Sequence, residues 1–160
     1  MEETMQELNL DQKVTVRSIA GWPTTFSRLV DGYGGDIIIA PNGTTRISRG
    51  EIIAQIQNGN KLFTGIDGMG SHATLFVDDA PTRREAGFES EDGKRPQDVL
   101  TDEKMKKLFE LKTFKTFKER FVEVIVTRAE KYTAMEMIRK AKFNDFDKIN
   151  FAQQHTGFKY

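Results

Sequence analysis

The sequence predicts an α+β fold: a small antiparallel β-barrel or sandwich over residues 13–87, then a three- or four-helix bundle over residues 101–160. Three observations carry that expectation. Residues 35–79 are built of short β-prone runs punctuated by Asn-Gly and glycine-rich turns. Residues 88–100 are dominated by Glu, Asp, Gly, Lys, Arg and Pro, the composition of a linker. Beyond them, a helix-start signal recurs each time an apolar stripe of helical period begins again.

Residues 1–12 are polar, with Leu8 and Leu10 as the only large aliphatic side chains, and read as an arm that orders against a neighbour. Residues 13–19 alternate with period two, placing Val14, Val16 and Ser18 on one face of a half-buried strand. Trp22-Pro23-Thr24-Thr25-Phe26 continues extended, because the residue before proline is pushed out of the helical region. Ile37-Ile38-Ile39 and Thr44-Thr45-Arg46-Ile47 flank Ala40-Pro41-Asn42-Gly43, which predicts a hairpin. Ser48 and Glu51 are spaced to cap a helix reciprocally, and that helix would run through Ile52, Ile53 and Ile56 to Asn58-Gly59. The same isoleucine run has strand propensity as well. Residues 61–66 and 73–77 read as two further strands around the glycine-rich turn Asp67-Gly68-Met69-Gly70-Ser71. Asp78-Asp79-Ala80-Pro81 opens a short helix that Gly87 stops.

In the last third, Thr101 caps a helix with Asp102 and Glu103 in its first turn, and Leu108, Leu111 and Phe114 continue its stripe toward Phe121 and Ile125. Thr127 and Glu130 form a second capping box, ahead of the stripe Tyr132, Met135, Ile138 and Ala141. Asn144 is placed to cap a last helix, with Phe146, Ile149 and Ala152 inward and Gly157 as its left-handed end.

Composition excludes more than it indicates. Basic and acidic residues both number 24, although residues 1–87 carry 8 basic and 11 acidic side chains and residues 88–160 carry 16 and 13. So mild an asymmetry predicts neither a dominant nucleic-acid partner nor an acidic substrate. With no cysteine, disulfides, thiolate metal sites and cysteine nucleophiles are ruled out. The acidic N-terminus is unlike a signal peptide, and no apolar run approaches the ~20 residues of a membrane span. A soluble protein is expected, in a virion or a host cytoplasm, not secreted by a signal peptide. No cofactor and no metal site is expected.

The candidate chemistry is sparse. The two histidines, His72 and His155, fall in different halves of the chain. Asp67, Ser71 and His72 have the residue types of an orienter, a nucleophile and a base, but neighbours on a strand point to opposite faces. The blander reading is a turn serine beside a histidine leading into a strand. Residues 65–71 resemble a phosphate-cradling loop, yet they lack the Gly-Lys-Ser/Thr ending and precede a strand, so a turn is expected. Asp78, Asp79 and Glu85 match no calcium loop, and Asp79 is already explained as a cap. From Lys104 to Phe121, seven basic side chains interleave with Phe109, Phe114, Phe117 and Phe121. On a helix, Lys112, Lys115 and Lys118 would share a solvated face while most of the phenylalanines turn inward.

Val-Arg-Ser-Ile-Ala-Gly-Trp-Pro at 16–23, Ile-Ala-Gln-Ile-Gln-Asn-Gly-Asn at 53–60 and Gly-Ser-His-Ala-Thr-Leu-Phe-Val at 70–77 resemble stretches of small accessory virion proteins of tailed bacteriophages. The resemblance carries no active-site motif, and no functional residue is transferred from it. It implies a structural role in a particle.

The function expected is therefore a non-enzymatic structural or adaptor subunit of a larger assembly, head-associated in a bacteriophage virion. Its partners would be other protein subunits, a second copy of the chain included, and no membrane. Trp22, Phe26, Phe109 and Phe117 are the candidate contact aromatics, each also readable as core. The alternative is a nucleic-acid-binding regulator acting through the basic helix at 104–120, with Lys112, Lys115 and Lys118 on phosphates. An enzyme centred on Ser71 and His72 ranks last.

Overall fold

The structure is a computed structural model and describes residues 8–32 and 34–160. Its order is β1 (Lys13–Ser18), β2 (Thr24–Ser27), β3 (Asp36–Ile39), β4 (Thr44–Ser48), α1 (Arg49–Gln57), α2 (Lys61–Thr64), β5 (Leu75–Val77), α3 (Ala80–Glu85), α4 (Asp102–Phe109), α5 (Phe114–Val124), α6 (Arg128–Lys140) and α7 (Phe146–Thr156). The fold is mixed α+β as expected, with small antiparallel sheets. Neither sheet closes into a barrel.

β1 is the centre of the larger sheet. Its alternation buries Val14, Val16 and Ser18, and it pairs antiparallel with β4 on one side and β5 on the other. β2 and β3 form a separate two-stranded sheet. The hairpin predicted between β3 and β4 is therefore corrected. The turn does form, with Asn42 at φ 51 and the Gly43 N–H donating to the Ala40 carbonyl. The chain leaves it for the other sheet, however, because each strand finds a better partner elsewhere. Val14, Val16, Ile37, Ile39, Ile47 and Ile52 then meet Phe26 and Phe63 in one apolar core.

The strand predicted at residues 61–66 is also corrected. Asn60 accepts from the Leu62 N–H and starts the one-turn helix α2, so local capping overrides β propensity. Ser48 caps α1 as expected, accepting from the Glu51 N–H. Glu51 does not return the bond. Its fully buried carboxylate accepts from the Leu29 N–H at 2.7 Å and the Val30 N–H at 3.1 Å, which ties the β2–β3 loop to α1.

Asn9 and Leu10 lie across the start of α1. The Gly50 N–H donates to the Leu10 carbonyl, and the Arg49 guanidinium donates to the Asn9 carbonyl, to Thr82 Oγ1 and to Asp79 Oδ2. The rest of the predicted arm, residues 1–7, lies outside the described residues. Asp79 caps α3 with Pro81 in the first turn, as the sequence indicates. Burial alone would raise the Asp79 carboxyl, but bonds from the Thr82 hydroxyl, Arg49 and the Thr82 N–H hold it below the ordinary carboxylate range. A depressed native value contributes stability that is complete above the unfolded value and drains away as pH falls through the native one. Urea midpoints should thus decline in acid below the unfolded carboxylate value of 3.8. In Asp79→Asn that part of the decline should be missing, and an identical acid profile in both proteins would contradict the assignment.

Residues 88–100 hold no helix or strand, yet Phe88, Gln97 and Leu100 are buried. Thr101 caps α4, Thr127 and Glu130 make the full reciprocal box on α6, and Gly157 ends α7 at φ 77. Three details of the helical part differ from expectation. The stripe from Leu108 to Ile125 is broken, because Thr113 caps a new helix, α5. The cap of α7 is Asp145, whose carboxylate accepts from the Lys148 N–H, where Asn144 was expected. That shift places Phe146 at the first helical position, 78% exposed, where it was expected inward. Met105, Leu108, Phe117, Phe121, Ile125, Met135 and Ile138 form the second core.

Candidate functional site

The two cores meet along a seam. The Trp22 ring, after β1, stands edge-on to Tyr132 of α6 at 6.1 Å, with the Arg128 guanidinium 4.9 Å from its centroid. Gly21 is needed at that crossing, since a Cβ on it would lie 2.3 Å from Tyr132 Cε1. On the same seam the Gln97 amide donates to the Gly70 carbonyl at 2.9 Å, and the His72 N–H lies 3.4 Å from the Asp98 carbonyl.

His72 is the chemical centre of this seam. Its backbone is left-handed, φ 62, a region that a non-glycine residue occupies at a cost its surroundings must offset. Its Nδ1 lies 2.9 Å from both carboxylate oxygens of Glu130. Glu130 is buried and fixed independently, accepting from the Val126 N–H at 3.1 Å and the Thr127 N–H at 3.0 Å. The capping carboxylate of α6 therefore also holds the imidazole. A carboxylate only accepts, so Nδ1 carries the hydrogen and Nε2 is the ring atom left for other partners.

That ring forms part of the wall of a cleft of about 330 Å³ between the β-rich half and helices α4 and α5. Leu100, Leu108, Leu111 and Val124 supply its apolar side. Its charged groups are largely matched. Lys104 pairs with Asp98, Arg120 pairs with Glu123 at 2.9 Å, and His72 faces Glu130. Lys107 also lines the cleft and makes no ion pair among the described residues.

Ser71 and Asp67 do not join His72. Asp67 Oδ1 accepts from the Met69 and Ser71 N–H groups, closing a tight turn. Burial would raise this carboxyl, but bonds from the Ser71 hydroxyl and the two amides hold it below the ordinary range. The three residues are thus a turn plus a histidine whose partner lies 58 residues away. Nothing local marks that partner, because Glu130 is fully accounted for as a helix cap. Asp78 and Asp79 are likewise taken up by Arg17 and Arg49.

Of the candidate contact aromatics, Phe26 and Phe117 are core. Phe26 stands edge-on to Phe63 at 5.4 Å, and Phe117 is fully buried among Phe109, Phe121 and Phe151. Phe109 is half-buried and stacked on Phe143 at 4.3 Å, and Trp22 is half-buried on the seam. Lys112 and Lys115 are exposed, while the Lys118 ammonium sits 4.8 Å from the Phe114 ring centroid. Lys112 lies in the break between α4 and α5, and so does not share a helical face with the other two.

Comparison with protein-family models, with curated proteins and with solved structures finds no match. Among the described residues, no helix is long and apolar enough to cross a membrane.

Proposed function

We infer that this chain is a non-enzymatic structural or adaptor subunit of a larger assembly, head-associated in a bacteriophage virion and present in the particle or the host cytoplasm. The observation that carries the reading is the outer edge of β3. The Arg28 N–H donates to the Gly35 carbonyl, so the hydrogen-bonded pairs of this ladder are 28 with 35, 26 with 37 and 24 with 39. Asp36 and Ile38 therefore turn their N–H and C=O groups away from β2. The other edge of this sheet is covered, since the buried Gln55 amide donates to the Ser27 carbonyl at 2.7 Å. The β3 edge is bonded to no described residue, and Ile38 on its outer face is 66% exposed. It carries no lysine, proline or bulge to deter pairing. Such an edge suits addition of an extended segment from another protein subunit. In this reading the two sheets make a small open sandwich and α4–α7 a four-helix bundle, supported by the separate apolar core of each half.

Sedimentation velocity over a concentration series, with and without a mixed-sequence duplex, tests the reading. Larger species that grow with protein concentration, ignore the duplex and disappear in Ile38→Lys are expected. Co-sedimentation with duplex that fades steeply with salt and is lost on neutralising Lys112, Lys115 and Lys118 would instead favour the nucleic-acid reading, whose support is the exposure of Lys112 and Lys115.

A further inference from the structure

We propose that the β3 edge is taken by a second copy of this chain, which enters with its β4 edge so that Asp36 of one copy faces Arg46 of the next. This rests on the assembly role inferred above, and it gives that role a partner. β4 is itself an edge strand, because the larger sheet has the order β4-β1-β5. The Ser18 N–H donates to the Gly43 carbonyl, so the hydrogen-bonded pairs of the β1–β4 ladder are 18 with 43, 16 with 45 and 14 with 47. Thr44 and Arg46 therefore turn their N–H and C=O groups away from β1, as Asp36 and Ile38 turn theirs away from β2. Those groups are bonded to no described residue, and all four side chains are exposed.

Only outward-turned residues exchange bonds across such an edge, so 36 and 38 must meet 44 and 46. In the antiparallel register of 36 with 46 and 38 with 44, Asp36 lies directly opposite Arg46 and Ile38 opposite Thr44. The exposed faces of the two sheets then run on into each other, while Ile37, Ile39 and Ile47 stay on the core side. Asp36 and Arg46 are the charged side chains of β3 and β4, and neither makes an ion pair among the described residues. Asp36 Oδ1 accepts from the Ser27 hydroxyl at 3.1 Å, and Arg46 reaches the Lys13 carbonyl at 3.4 Å. Both bonds leave the charges themselves unmatched. Opposite charges directly across a ladder favour pairing and like charges oppose it. β3 against β3 or β4 against β4 offers no opposite charge, so the unlike edges and this register are selected. Arg46 deters an unrelated strand from the β4 edge and attracts the one strand that brings Asp36.

The test is sedimentation velocity of the full chain up to about 1 mM, the range of weak specific association. Asp36→Arg and Arg46→Asp should each weaken self-association about tenfold, with the melting temperature held because both side chains are exposed. Mixing the two variants in equal amounts should restore it, since each supplies the charge that the other's edge lacks. The double variant carrying both substitutions should associate as the parent does. Amide exchange should slow together at Asp36, Ile38, Thr44 and Arg46 as concentration rises. Species that stop at two copies mean closure on a two-fold axis, and continued growth means head-to-tail addition; either supports the pairing. A chain still monomeric at the highest concentration overturns it, as does a mixture that stays apart. Ile38→Lys separates this outcome from failure of the edge itself. Association lost in Ile38→Lys but kept in Arg46→Asp overturns the β4 partner and leaves the β3 edge docking another segment. Association kept in all three single variants overturns both.

Discussion

Gly65→Ala is expected to cost about 3 kcal/mol or more, read as a drop in urea midpoint at unchanged slope. Gly65 ends α2 at φ 70 and ψ −151, a conformation open almost only to glycine. A Cβ there would lie 1.9 Å from the Ser71 carbonyl oxygen and 3.2 Å from the Ala73 nitrogen, both backbone atoms that cannot swing aside. The same Ser71 carbonyl accepts from the Ile66 N–H, and the Gly70 N–H donates to the Thr64 carbonyl, so the whole turn closes on this residue. Since His72 follows directly, the substitution should also loosen its bond to Glu130. Gly59→Ala is the control: φ is 77 but nothing lies within 4 Å of the added carbon, so the cost should be only about 1 kcal/mol. Equal losses in the two variants would show that the close approach to Ser71 does not matter.

Phe117→Ala should be comparably severe, about 3–5 kcal/mol, the usual range for removing a fully buried phenylalanine. Its ring packs with four other aromatic rings, Phe109 at 5.2 Å, Phe121 at 5.3 Å, Phe151 at 6.2 Å and Phe114 at 6.4 Å between centroids. It also lies 5.5 Å from the Lys148 ammonium, which donates to the carbonyls of Phe109 and Leu111. Truncation therefore opens a cavity beneath a buried charge. Equilibrium urea unfolding measures it. A loss below about 1 kcal/mol would return Phe117 to the surface as a partner contact, because exposed positions rarely cost more.

What could be read from the sequence was whatever is decided within four or five residues. Thr101, Asp79 with Pro81, Thr127 with Glu130, and Gly157 all act on their own helix ends, and each does what its type and spacing indicate. The turn at residues 40–43 was legible for the same reason. What its strands pair with was not, because β3 and β4 are claimed by β2 and β1, and a ladder partner is chosen by packing across the core. Glu51 shows the limit sharply. Its spacing from Ser48 fits a capping box, yet its buried carboxylate is taken by two amides of the β2–β3 loop, Leu29 and Val30, more than twenty residues away in sequence. The His72–Glu130 contact had no local signal at all. Phe146 proved exposed because the cap at Asp145 makes it the first helical residue, at the outer end of the stripe that Ile149 and Ala152 carry into the core.

The position of β1 also bears on how the protein is made. Among the described residues β1 is the centre of its sheet, but one flank, Leu75–Val77, is synthesised about sixty residues after it. Until then Val16 and Ser18 lack a partner on that side, and the nascent chain must carry an open sheet through much of its synthesis. The helices after residue 101 close mostly near neighbours and have no such wait. The β-rich half is thus begun first and completed late, and its folding time is governed by a long loop closure that the helical half never faces.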